Sequence, residues 1–270
     1  MINEAADFAS ECEATYTLMK SLDDADFGRE TQFKGWAIND IMQHLYMGDI
    51  RAHMTLTDPD AYAQVKAERQ RVVATTTAEK LANQRTAAGN IEGRELLEAW
   101  RVSAGKTAAA YAEADPKQRV QWAGPDMSAR SSITARLMET WSHSQALYDL
   151  LGQDREDGDH IRAIAHLGAI TYGWTFANRG EEPPGPAPLI RLTAPSGALW
   201  EWNAETALAA EVIAGPATDF CQVVAQTRNI LDVNLSVTGK AATAWMTHAQ
   251  CFAGPPNDPP APGSRCKQMG

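Results

Sequence analysis

The chain has 270 residues, of which 44% are hydrophobic and 21% charged, a balance that suits one large globular domain or two modest ones. Its formal net charge of −10 and pI near 5.1 oppose a phosphate backbone, so nucleic acid is excluded as the expected partner. The opening MINEAADFAS lacks the basic stretch and apolar core of a secretory signal, and no apolar run approaches the ~20 residues of a membrane-spanning helix, so the expected location is cytoplasmic, with no membrane partner.

Apolar positions Ala5, Phe8, Cys12, Tyr16 and Met19 recur every three to four residues, which predicts a helix over 2–20. A second helix is expected over 37–56, with Ile38, Ile41, Leu45, Gly48 and Ala52 on one stripe, stopping before Asp58-Pro59. Residues 60–87 are polar and rich in Ala, Gln, Arg and Lys, and read as an exposed helix with a frayed end. A third bundle helix is expected over 93–113, carrying Leu96, Leu97, Trp100 and Ala104 and ended by Asp115-Pro116. The connection holds an aromatic and a tight turn, Trp122-Ala123-Gly124-Pro125, and a fourth helix over 131–151 is closed by Gly152. Four long amphipathic segments separated by breaks predict an antiparallel four-helix bundle.

Composition then changes. One more helix is expected over 159–179, followed by the stiff linker Glu181-Glu182-Pro183-Pro184-Gly185-Pro186. Beyond it the apolar period becomes two: Leu189–Thr193 and Leu199–Trp202 flank Pro195-Ser196-Gly197 as a β-hairpin. Strands are expected at 211–213 and 233–237, and helices at 216–226 and 240–252. The fold class is therefore α plus (α+β): a helical domain over 1–152, an α+β domain over 153–258, and a flexible Pro-rich tail over 259–270. No internal repeat is found.

Cys12, Cys221, Cys251 and Cys266 form no Cys-x-x-Cys pair, and the apolar neighbours of Cys221 and Cys251 point to packing. Of the six histidines, His53, His160, His166 and His248 read as helix-surface or solvent groups, with His166 also a candidate substrate contact. Glu139 and His143 differ: four residues apart, they share one face of the fourth helix, beside its apolar stripe of Ile133, Leu137, Leu147 and Leu151. His44 likewise flanks the apolar stripe of the second helix. Two imidazoles and a carboxylate make an open zinc site with a fourth position for water or substrate, and suit iron(II) as well. The same spacing also describes a buried histidine bonded to a carboxylate one turn away.

The segment Gly35-Trp36-Ala37-Ile38-Asn39-Asp40-Ile41-Met42-Gln43-His44-Leu45 resembles the Gly-Trp-x-hydrophobic-x-Asp-x-x-x-His-Leu signature of mycothiol-dependent maleylpyruvate isomerase-like proteins, a group of DinB-like metal-binding bundles. Residues 135–152, with Glu139-Thr140-Trp141-Ser142-His143 at their centre, are similar to the second signature of that family, and Trp122 to Ser131 resembles one of its branches. The resemblance implies that His44, Glu139 and His143 hold a divalent metal, zinc by preference, with nickel, iron(II) and manganese(II) as the other choices. It implies that the second domain is sterol-carrier-like in outline. There Gly215-Pro216 opens a helix leading to Arg228, a candidate for binding a substrate carboxylate, although Gln226-Thr227-Arg228 departs from the family ending. A surface arginine at a helix C-terminus is the plainer reading of Arg228.

The activity implied is that of a thiol-dependent isomerase or transferase acting on an electrophilic small molecule, with mycothiol or glutathione as the thiol. A metal-dependent hydrolase and a non-catalytic metal- or ligand-binding module stand as alternatives. Pairing of chains into a homodimer is left open.

Overall fold

A computed structural model of the chain describes residues 1–72, 76–122, 124, 126–208 and 210–268. Residues 73–75 of the expected 60–87 helix, and Ala123 and Pro125 of the expected tight turn, lie outside them, as do 209 and the last two residues of the tail. The chain forms two compact units, Met1–Leu147 and Tyr148–Gly270.

The first unit is built from α1 (Asn3–Met19), α2 (Ile38–Thr57), α3 (Pro59–Arg71), α4 (Thr77–Ala87), α5 (Gly93–Glu113) and the greater part of α6 (Ala129–Leu150). A short antiparallel pair, β1 (Arg119–Val120) and β2 (Met127–Ser128), precedes α6. Local signals fix the breaks. The Asp40 carboxylate accepts from the Ala37 N–H at 2.9 Å and so caps α2. Asp58 accepts from the Ala61 N–H at 3.0 Å and Pro59 holds the first position of α3, so α3 starts where α2 stops. Phe8, Ile41, Leu45, Trp100, Leu137 and Trp141 are fully buried, each stabilising the unit by about 1.5–3 kcal/mol relative to exposure.

Helix directions follow from side-chain pairs. Glu13 with Arg101, and Tyr16 with Glu98, set α1 antiparallel to α5. Gln43 to the Ile91 carbonyl, Asp49 to Trp100, and the Ala52 carbonyl to Tyr111 ascend together, so α2 and α5 are parallel. Asp49 with Arg136 and His44 with Glu139 set α2 antiparallel to α6, while Glu4 with Arg130 and Thr15 with Ser144 set α1 parallel to α6. The bundle is thus up-down-down-up, where the sequence suggests simple antiparallel alternation. The polar 60–87 segment is the reason. It supplies two helices, α3 and α4, that carry the chain back to the start of α2, where Gln84 Nε2 donates to the Asp40 carbonyl at 2.8 Å.

The second unit holds α7 (Arg162–Ile170), α8 (Tyr172–Ala177), α9 (Ala217–Val224) and α10 (Lys240–His248) with a sheet of β3 (Leu189–Thr193), β4 (Leu199–Trp202), β5 (Val212–Pro216) and β6 (Ser236–Thr238). The strand order is β4-β3-β5-β6. β3 and β4 form the expected hairpin, with Ile190 opposite Trp202, and β5 runs parallel to β3, with Ile190 opposite Ile213. The helix expected over 159–179 divides at Thr171, whose hydroxyl donates to the Leu167 and Gly168 carbonyls and competes with the helical ladder. The strand expected at 233–237 begins only at Ser236, because a 3-10 turn occupies Ile230–Asp232. Phe220 and Tyr172 meet Trp245 edge-on in the core of this unit.

Hydrogen bonds join the C-terminal Pro-rich stretch to the rest of the second unit. Arg265 donates to the Gln226 carbonyl at 2.7 Å, Asn229 to that of Pro260 at 2.8 Å, and the Gln268 N–H to that of Asp149 at 2.8 Å. Cys12, Cys221 and Cys251 are buried, Cys266 is exposed, and none forms a disulfide, as packing roles require. No helix among the described residues is long and apolar enough to cross a membrane.

Candidate metal centre

α2 and α6, lying antiparallel, bring His44, Glu139 and His143 to one point. Glu139 Oε2 lies 3.0 Å from His44 Nε2 and 3.3 Å from His143 Nε2. The ligand atoms of all three residues fall within 4.8 Å of one another. A tetrahedral ion with bonds of ~2.0–2.1 Å spaces its ligands by about 3.3–3.4 Å, so the His143–Glu139 edge already matches such an ion and the His44–Glu139 edge would open by a few tenths of an ångström to admit it. Each imidazole can donate an Nε2 proton to the shared oxygen, and a cation would take the place of those protons.

The electrostatics suit the same purpose. Burial pushes the Glu139 carboxyl up, but hydrogen bonds from His143 and then His44 outweigh it and hold the group well below the usual carboxylate range. Burial, with repulsion from His44, pushes His143 down to about 4 despite Glu139, so its ring is neutral at pH 7 and has a lone pair to give. His143 Nδ1 is buried and has no hydrogen-bond partner.

The Gly-Trp signature has a physical task here. Residues 33–36 make a tight turn in which the Trp36 N–H donates to the Phe33 carbonyl at 2.9 Å. Lys34 and Gly35 both sit in the left-handed region, Gly35 at φ 69°, which glycine adopts without a Cβ penalty. The turn lays the Trp36 indole flat over the His143 ring, 5.8 Å between centroids at 6°, and sets Phe33 edge-on at 4.8 Å. The indole also meets His44 at 5.7 Å. Aromatic rings therefore wall the triad and fix both imidazole orientations.

Three residues before Glu139, Arg136 pairs with the fully buried Asp49 at 2.8 Å and with the Leu45 carbonyl at 3.4 Å. Asp49 also accepts from Trp100 Nε1 at 2.9 Å. A cavity of about 220 Å³ opens beside the triad, lined among others by His44, Gly48, Arg51, Tyr62, Arg136 and Glu139. A larger groove of about 700 Å³, with Tyr46, His53, Glu98 and Val102 in its walls, holds none of the three ligand candidates, so size alone does not locate the chemistry.

The remaining candidates fall elsewhere. Arg228 makes a two-pronged ion pair with Asp149, at 2.8 and 2.6 Å, both side chains being largely buried. Its guanidinium therefore already has a carboxylate partner. His166 Nδ1 accepts from Trp202 Nε1 at 3.1 Å within the second unit. His53 bonds Thr57 one turn on, a helix-surface arrangement. Sequence reasoning passes over Arg51, although its place two turns beyond His44 on the same face was a usable signal.

Comparison with known proteins gives a consistent picture. A family model described as the mycothiol maleylpyruvate isomerase N-terminal domain matches residues 8–148. Two Mycobacterium tuberculosis proteins from different strains, both described as uncharacterized, are 34% identical over 251 residues, covering 93% of this chain and 95% of theirs. The crystal structure of the mycothiol-dependent maleylpyruvate isomerase has a similar fold, with a TM-score of 0.52 at 17% identity over 82% of this chain and 86% of that one. A histidine-to-alanine mutant of that enzyme gives a TM-score of 0.51 at 16% identity over the same shares.

Proposed function

The chain belongs to the mycothiol maleylpyruvate isomerase family through its N-terminal domain, and from that premise we propose that it is a metal-dependent, thiol-using isomerase or transferase acting on an electrophilic small molecule. One observation carries the reading: two imidazoles and one carboxylate converge from two helices, and His44 and Glu139 of that set line a cavity. His44, Glu139 and His143 would hold the ion, zinc being favoured by the nitrogen-rich donor set. Bound there, a divalent ion supplies Lewis acidity that keeps a low-molecular-weight thiol as its thiolate for addition to an activated double bond, later expulsion or retention of the sulfur separating isomerase from transferase.

The chain's own residues do the positioning. Trp36 and Phe33 hold the His143 ring and shield it from water, and Glu139 brings one negative charge to offset the ion. No protein cysteine is needed, since Cys12 is buried with its thiol pushed up by burial and by Asp49. Reduced cysteines without a disulfide suit a cytoplasmic setting, where mycothiol or glutathione would be the available thiol.

The test is turnover of maleylpyruvate and a panel of related electrophiles by the zinc-loaded protein, with and without mycothiol or glutathione. The expected result is conversion only when a thiol is present. Conversion without any thiol would overturn the reading in favour of hydrolysis by metal-activated water.

A further inference from the structure

The 220 Å³ cavity beside the triad carries a charge that thiol chemistry leaves unused. His44, Gly48, Arg51 and Thr55 lie along one face of α2, and Ser132, Arg136 and Glu139 along the facing side of α6. Arg51 stands two turns past His44, about 10 Å along the helix axis. Its Nε is buried without a hydrogen-bond partner, and among the described residues it makes no ion pair. A buried donor of a charged group left in that state is costly.

The surroundings do not relieve it. Arg69 of α3 and Arg136 of α6 line the same cavity. Burial first, and then Arg69 and Arg136, push the Arg51 guanidinium down to about 10, so it stays charged at neutral pH. Arg136 is matched by Asp49 and lies across Gly48, where an added Cβ would come within 2.6 Å of its guanidinium. Glu139 is the one carboxylate among the lining residues, and both imidazoles hold it. A chain of net charge −10 thus keeps a positive surplus inside one small cavity.

We infer that Arg51 is the anion-binding residue of this cavity and receives a carboxylate of the small molecule bound there. The inference rests on reading the triad as the metal site and adds to it the residue that receives the substrate's anionic group. A guanidinium offers a planar fork that a carboxylate fills with two parallel hydrogen bonds. The volume suits a small organic acid and is below the usual range for larger ligands. Arg228, by contrast, already has the Asp149 carboxylate as its partner.

The experiment titrates maleate, dimethyl maleate and inorganic phosphate into zinc-loaded and metal-free protein by calorimetry. It compares the wild type with Arg51→Gln, Arg51→Lys and, as a control in the other groove, Lys106→Gln, with circular dichroism and zinc content recorded for each. Maleate should bind both forms of the wild type, at least tenfold more tightly than its neutral diester. Arg51→Gln should weaken maleate tenfold or more, Arg51→Lys should restore part of the loss, and Lys106→Gln should change nothing. Zinc content should be equal in all four proteins. Equal maleate affinity in wild type and Arg51→Gln, no maleate binding by the wild type, or binding confined to the zinc form would each overturn the inference. A preference for phosphate over maleate would overturn the carboxylate class. Failure of the metal reading shows separately, as no zinc uptake by the wild type.

Discussion

His143 is set between an indole face and a carboxylate oxygen, so its replacement removes a donor that nothing nearby can supply. His44→Ala and His143→Ala should each abolish stoichiometric zinc, and Glu139→Gln should weaken it, because an amide oxygen is a poor ligand for a divalent ion. Elemental analysis of the three purified variants checks this, and unchanged zinc in all of them would dismiss the triad. A second residue-scale expectation concerns Tyr111. Its buried hydroxyl donates to the Ala52 carbonyl and meets Ser132, and burial pushes it up to about 12. Between pH 10 and 12 the unfolded chain loses this proton while the folded chain keeps it, so stability falls over that window, by about 2–3 kcal/mol at its end. Tyr111→Phe should flatten this part of the alkaline unfolding curve relative to the wild type. The shared face of Glu139 and His143 is legible in the sequence because i and i+4 lie one turn apart on any helix, whereas His44, on another helix, joins them only through the family resemblance. Arg51 is legible only in part, since its seven-residue step from His44 puts it on that face but an arginine on a helix reads as solvated until its facing helix is known, and Trp36 is legible only as part of a signature whose turn geometry gives it meaning.

At the scale of elements, the tie between α2 and α6 is the buried Asp49–Arg136 pair. Removing one partner strands the other in a dry core. Asp49→Ala should destabilise the first unit by about 3–5 kcal/mol, while the double replacement Asp49→Leu with Arg136→Met should recover much of that loss. Chemical denaturation of the single and double variants measures both. The helices of the bundle are legible because an apolar stripe every three to four residues reports burial of one face. Their directions are not, because periodicity carries no sign, and only the length and polarity of the 60–87 segment hint that the chain returns before starting α5. The division at Thr171 and the late start of β6 turn on single hydroxyl and turn contacts, which a window average smooths away. The hairpin of β3 and β4 is strongly patterned, and its strands fall where alternation puts them.

At the scale of the whole molecule, every ligand candidate lies in Met1–Leu147, so an ion that binds only the folded state should stabilise that unit. Zinc at about 100 times its dissociation constant should add about 2.7 kcal/mol. Hydrogen exchange should show the added protection in α2 and α6, vanishing with a chelator and absent from His143→Ala. Equal exchange with and without zinc would argue that the unit gains nothing from the ion. The two-part organisation is legible from the change of apolar period after the Glu181–Pro186 linker. The anchored C-terminal stretch is not, because prolines and polar residues satisfy hydrogen bonds through carbonyls that composition does not reveal.

The return segment has one more implication. α3 sends Tyr62 and Arg69 to the wall of the small cavity, yet it contributes none of the metal-binding candidates. Substitutions in that stretch should therefore alter the shape and charge of the cavity while leaving His44, Glu139 and His143 in place, so the lining can vary independently of the three side chains beside it.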